Sequence, residues 1–226
     1  MEVTLKAVRI WDLPTRVFHW SLAVCVVLSI STAKLGGNAM VWHFRSGYLI
    51  LALLAFRVVW GLVGGHWSRF ASFVFSPATF WRYARGKGAP QALLEVGHSP
   101  LGALSVFAVL GILAAQVATG LFADDEIANT GPLIKFVSGA TSLALTKWHK
   151  SYGQWIIVAL VVLHLGAIAF YVLKKKRDLF SAMVSGDKVL PTVTPASRDT
   201  GASRAAALVV FVCCTASVAW LVSLGG

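Results

Sequence analysis

The sequence predicts an all-α membrane protein: a four-helix transmembrane bundle followed by a fifth, C-terminal transmembrane helix. Three observations predict it. Of the 226 residues 57% are hydrophobic, and the mean hydropathy is +0.74, more apolar than a soluble domain of this size. Five apolar runs are each long enough to cross the hydrocarbon core of a bilayer. The cationic residues fall between those runs, and unevenly so. A net charge of +11 in a soluble protein would suggest nucleic acid. Beside these runs it reads instead as a basic cytoplasmic membrane face, and no nucleic-acid partner is expected.

Residues 1–16 form a short polar cytoplasmic arm that carries Lys6, Arg9 and Arg16. Its mixed, polar composition is not that of a cleavable signal. The four-helix domain covers residues 17–177. Its first helix runs from Val17 to Ala33, after Pro14, which suits a first helical turn. Gly36-Gly37-Asn38 makes the turn to the second helix, Val41 to Val63, which Gly64-Gly65 ends. Arg57 lies inside that run, where it either snorkels to the nearby surface or meets a carboxylate on a cofactor. A polar connection over 65–99 contains SPATFWRYARG, an interfacial amphipathic helix with Trp81 and Tyr83 at headgroup level. The third helix runs from Pro100 to Phe122. A second connection opens with Asp124-Asp125-Glu126, either a solvated turn or a docking patch for a basic protein. The fourth helix is Lys147 to Lys174, closed by a run of four cations. Residues 178–204, with Pro191 and Pro195, form a cytoplasmic linker, and 205–224 form the additional transmembrane helix, a plain anchor without histidine or charge.

Counting Lys and Arg orients the chain. With the N-terminus inside, 14 lie in inner segments and 5 in outer ones, and Arg57 lies within a helix. The N-terminus is therefore expected in the cytoplasm and, after five spans, the C-terminus in the periplasm.

The fourth helix carries the chemistry. His149 and His164 are 15 residues apart, roughly 22 Å along a helix and about 60° apart in direction. An intramembrane histidine is a candidate functional site by default. The topology sorts the others by depth. His19 opens the first helix and His164 ends the fourth, both near the inner face. His43 opens the second helix and His149 the fourth, both near the outer face. Each depth-matched pair draws on two helices, as axial ligation of one haem iron requires. One such histidine alone would read as a hydrogen-bonded structural residue; two matched pairs do not. Zinc would need further ligands converging at one depth, which the sequence does not supply. His66 reads as a surface loop residue. His98 caps the third helix, contacts a cofactor carboxylate or carries protons beside a quinone. Cys25, Cys213 and Cys214 lie in apolar runs, and without a C-x-x-C-H no covalent haem is expected.

These stretches also carry a resemblance: VRIWDLPTRVFHW at 8–20, WHFRSGY at 42–48, FRVVWGLVGG at 56–65, GHSPLGALSV at 97–106, TGLFADDEI at 119–127, and WHKSYGQW with LHL at 148–155 and 163–165. Together the chain resembles the bacterial cytochrome b561 and nickel–iron-hydrogenase cytochrome b superfamily over about residues 8–184. The resemblance implies a four-helix core holding two haem b groups, with His19, His43, His149 and His164 as ligands. It implies Arg16, Arg45 and Arg57 as partners of the haem propionates. It also implies electron transfer in the bacterial inner membrane between the quinone pool and a redox partner, either a periplasmic c-type cytochrome or a hydrogenase-like enzyme, with a quinone bound. Some relatives act alone as superoxide:quinone oxidoreductases, the first alternative here. A haem-free membrane anchor is the second. The fifth helix departs from the four-helix pattern.

Overall fold

Among the described residues of the computed structural model five helices are long and apolar enough to span a membrane: Leu13–Leu35, Gly37–Val63, Pro100–Leu121, Gly139–Leu173 and Gly201–Ser223. The structure describes residues 5–87, 96–191 and 194–225; the first four residues of the expected arm lie outside them. Many apolar side chains on these helices are uncovered by the rest of the chain. In the 20-residue helix Gln154–Leu173, only Ile157 is buried. A surface of that kind is stable only in an apolar solvent, and the chain is a multi-pass membrane protein.

In order the elements are β1 (Leu5–Arg9), α1 (Leu13–Leu35), α2 (Met40–Val63), α3 (Pro77–Ala84), α4 (Pro100–Leu121), α5 (Gly139–Trp148), a π-helical turn (His149–Gly153), α6 (Gln154–Leu173), α7 (Leu179–Ser185), β2 (Asp187–Pro191) and α8 (Gly201–Ser223). Local chemistry sets several starts. Asp12 caps α1 by accepting the amide of Thr15 at 2.8 Å. Ser76 caps α3 with Pro77 following it, Ser138 caps α5, and Asp178 caps α7. Gly186, at φ 91°, ends α7 in the left-handed conformation that favours glycine.

The structure departs from the expected pattern in three places. The chain is not wholly helical: β1 and β2 pair antiparallel, with Val8 opposite Lys188. Residues 178–204 are not a plain linker, since they supply α7, β2 and a docked segment. The fourth span begins at Gly139, eight residues before Lys147, because Ser138 caps it within a mixed sequence that hydropathy alone does not mark.

The chain divides into two units. The first comprises Met1–Phe18, Arg57–Ala108 and Leu163–Val209. Its apolar core is Val8, Ile10, Trp11, Val96 and Ala182, with Trp67, Met183 and Leu190 packed on it. Beside that core lies the fully buried carboxylate of Asp12. It accepts from the amide of Gly65 at 2.9 Å, the Ser68 hydroxyl at 2.9 Å and Trp60 Nε1 at 3.2 Å. The segment before α8 is fastened to the same place. Ser197 donates its amide to Arg9 O at 2.7 Å and its hydroxyl to Ile10 O at 2.7 Å, while Trp67 Nε1 donates to Pro195 O at 2.8 Å.

The second unit comprises His19–Phe56, Val109–Val162 and Val210–Gly226. Here the loop after α4 folds back: Gly131 N donates to Ala123 O at 2.7 Å and Leu133 N to Leu121 O at 2.8 Å. Two hydroxyls of α5 hold that loop, Ser142 donating to Phe122 O at 2.7 Å and Thr146 accepting from Asp124 N at 2.8 Å. These bonds fix the approach of α5 to the π turn.

Candidate functional site

His43 sits in the first turn of α2, and His149 where α5 widens into the π turn. Each imidazole is held by a different neighbouring helix. His43 Nδ1 lies 2.9 Å from Ser29 O and 3.1 Å from Ser29 Oγ, on α1. His149 Nδ1 lies 2.8 Å from Gln116 O and 3.3 Å from Thr119 Oγ1, on α4. A backbone carbonyl can only accept, so each Nδ1 carries the proton and each Nε2 keeps its lone pair. The two rings are perpendicular, with centroids 6.0 Å apart and planes at 89°. Gln116 holds His149 a second time, its Nε2 donating to His149 O at 3.0 Å. Two glycines make room. A methyl at Gly120 would lie 2.8 Å from His149 Cε1, and one at Gly153 would overlap Gln116 Oε1. Among the described residues no three His, Cys, Asp or Glu side chains converge as a metal site.

The other sequence-predicted residues are placed as follows. His19 is half-buried on α1, edge-on to Trp20 at 5.1 Å. His164 is an exposed imidazole on apolar α6. These two fall in different units. His98 precedes α4 and packs between Trp11, at 4.7 Å, and Phe73, at 4.3 Å. Arg57 does not snorkel. It is 3% exposed, donates to Ser68 O at 2.9 Å and lies 4.6 Å over the Phe70 ring. Arg16 donates to Val184 O at 2.6 Å and approaches Asp199 at 4.0 Å. Arg45 lies over the Trp42 ring at 5.1 Å. Asp124 and Asp125 shape their own loop. Asp125 accepts from Asn129 Nδ2 at 2.7 Å and from three successive amides, so these donors hold its carboxyl well below the usual carboxylate range. Sequence reasoning missed Asp12, the hub of the first unit, although Asp-Leu-Pro before an apolar run is an N-cap signal. It also missed Gln116, Ser29 and Gly120, which have no signature of their own.

The sequence pattern of the prokaryotic cytochrome b561 family matches residues 10–186. The chain belongs to that family. Relatives include proteins called probable Ni/Fe-hydrogenase B-type cytochrome subunits. That of Azotobacter chroococcum is 27% identical, over 80% of this chain and 88% of its own. The one from Cupriavidus necator is 26% identical, over 81% and 87%. The one from Escherichia coli K12 is 22% identical, over 78% and 88%. No solved structure gives a significant match.

Family membership makes this protein an electron-transport cytochrome of the b type, with haem b as its cofactor. His43 and His149 suit such a group by their chemistry: each Nδ1 is hydrogen-bonded to a backbone carbonyl, so Nε2 of each ring is the nitrogen that would hold a haem iron.

Proposed function

We propose that this cytochrome carries electrons across the membrane through two b-type haems, between the quinone pool and a redox protein. The observation that carries the reading is the His43–His149 pair, two imidazoles with centroids 6.0 Å apart and both Nδ1 protons spent on backbone carbonyls. The second site takes His19 and His164, whose depth in the topology matches. Bound haem supplies a reversible one-electron iron couple. The residues of the chain do the rest. Ser29 and Gln116 fix ring tautomer and orientation, which raises the basicity of the ligating nitrogen. Gly120 leaves space for one ring. A haem held by both imidazoles would have no position left for oxygen, which would favour electron transfer over oxygen chemistry. The apolar helices exclude water and lower the cost of reorganisation around a charge change.

The N-terminus lies in the cytoplasm and the C-terminus in the periplasm, on the 14-to-5 distribution of Lys and Arg in the inner membrane of a bacterium. Among partners a hydrogenase-like enzyme is preferred to a c-type cytochrome, because the relatives are called hydrogenase cytochrome subunits. The acidic loop does not favour the latter, since Asp124 and Asp125 are occupied within it. Arg16, Arg45 and Arg57 keep their proposed charge-balancing role toward propionates, and His98 a proton-carrying one beside a bound quinone.

The test is a reduced-minus-oxidised visible spectrum, with haem quantified per chain, on the wild type and on His43→Ala and His164→Ala. Two low-spin haems are expected, one lost in each variant. A single haem in the wild type, or variants that keep both, would overturn the pairing.

A further inference from the structure

The first unit contains a cavity of about 510 Å³ that the haem chemistry does not use. It lies where α2 ends. Val63, His66 and Arg69 come from that end and the turn after it; Pro195 and Arg198 come from the segment before α8. We propose that this cavity binds the phosphate group of an anionic phospholipid.

The walls are built and locked to each other. Trp67, between His66 and Ser68, donates its amide to Ser197 Oγ at 3.2 Å and its indole N–H to Pro195 O at 2.8 Å. Ser197 is in turn bonded to Arg9 O and Ile10 O, both at 2.7 Å. Gly65 permits the approach: a methyl there would sit 2.5 Å from Asp12 Oδ2 and 3.1 Å from Ser197 Cβ. Arg69 and Arg198 are thus carried on two segments that hold a fixed separation.

The charge is unbalanced, and locally so. Nearby Asp199 is surrounded by Arg9 at 3.5 Å, Arg16 at 4.0 Å and Arg204 at 2.9 Å, and Arg9 also pairs with Asp187 at 3.0 Å. Asp12 is buried and spent on its own donors. Among the described residues no carboxylate lines the cavity, and Arg69 and Arg198 form no ion pair. The Arg69 fork is aligned by a 3.5 Å contact to His66 Nδ1. The carbonyl end of α2 contributes about half a negative charge here, which two full guanidinium charges outweigh. Planar guanidinium forks suit the paired oxygens of a phosphate.

The apolar rim selects the source. Val63 is 54% exposed, and Leu62 and Val59 continue its exposed face along α2. A phosphate seated between the arginines would therefore have its acyl chains beside an apolar helix. Basic pockets at the membrane surface hold lipid headgroups in this way.

Native mass spectrometry of the detergent-solubilised full chain tests the proposal, with phosphatidylglycerol and phosphatidylcholine offered in equal amounts and inorganic phosphate as a separate probe. The wild type should retain phosphatidylglycerol preferentially, and Arg69→Gln with Arg198→Gln should weaken that retention by about thirtyfold, two basic contacts' worth. The charge-conserving pair Arg69→Lys with Arg198→Lys keeps the charge and loses the forks, so it should retain more of the preference than the glutamine pair and less than the wild type, which separates charge from folding. Undiminished preference in the glutamine variant overturns the cavity as the site. Inorganic phosphate held as well as the lipid, and lost in the same variant, overturns the lipid source in favour of a soluble phosphate.

Discussion

Replacing Gly120 by alanine should remove one haem and leave the helix intact. On α4 a methyl at this position would lie 2.8 Å from Cε1 and 3.2 Å from Nδ1 of His149. Ordinary contact begins near 3.4 Å, so the ring must retreat by at least 0.6 Å. A metal–ligand bond tolerates about 0.2 Å. The ring cannot turn aside cheaply, because Nδ1 is fastened to Gln116 O at 2.8 Å and the following turn is held by Gln116 Nε2. The helix itself should be little affected, since Gly120 is the penultimate residue of α4 and is not among the positive-φ glycines. Binding should therefore fall while folding stays nearly unchanged. The assay is haem content per chain, by the pyridine haemochrome method, alongside helical circular dichroism during thermal melting. Gly111→Ala on the same helix is the control, since nothing lies within 4 Å of a methyl there. Two haems with an unchanged spectrum in Gly120→Ala would refute the reasoning.

Other perturbations follow from the first unit. Asp12→Ala strips the acceptor from four donors at a buried site and should cost roughly 3–5 kcal/mol in SDS-induced unfolding; a loss under 1 kcal/mol would contradict its role as a hub. Burial pushes the Lys188 ammonium down to about 8 from 10.5, with Arg177 adding repulsion, although its Nζ donates to Val96 O at 2.9 Å. Between those two values the unfolded chain binds more protons than the folded one, so stability should rise with pH from about 8 to 10.5, by at most about 3 kcal/mol. Lys188→Met should flatten that slope and melt higher than the wild type at pH 7; parallel melting curves for the two proteins would argue against it. Ser29→Ala deletes only the hydroxyl at 3.1 Å and keeps the carbonyl at 2.9 Å, so haem content should persist, with at most a small shift of midpoint potential in a redox titration.

The spans were legible because a membrane helix announces itself: residues 40–63, 100–121 and 201–223 coincide with apolar runs to within a few positions. The sequence sets His43 and His149 at one depth, and their ring centroids lie 6.0 Å apart, although His149 is ten residues into a span that begins at Gly139 and not in its first turn. What holds those rings was not legible. Ser29 and Gln116 act through backbone carbonyls, which every residue has, and Gly120 acts through an absent side chain. The small sheet escaped for a different reason. Leu5–Arg9 and Asp187–Pro191 are each too short for alternation to register, and their partner is at the other end of the chain. Prolines near 191 and 195 suggested a linker, yet Pro195 presents a carbonyl to Trp67. Hydropathy read nothing in Gly139–Trp148, where the capping serine and hydroxyls bonded to the preceding loop decide the helix.

The pairing of Val8 with Lys188 also sets a timetable. Those residues are separated by most of the chain, and translation proceeds at about 5–20 residues per second, so the amino-terminal strand waits roughly 10–40 s for its complement to leave the ribosome. During that interval four of the five spans are made. The anchoring of Ser197 to Arg9 and Ile10 comes later still, just before the last span emerges. The strand Leu5–Arg9 is thus paired only once residues 187–191 are made, and a chain cut short before residue 187 would leave its edge open beside the Val8, Ile10 and Trp11 cluster, a mark by which quality-control proteases could recognise unfinished copies.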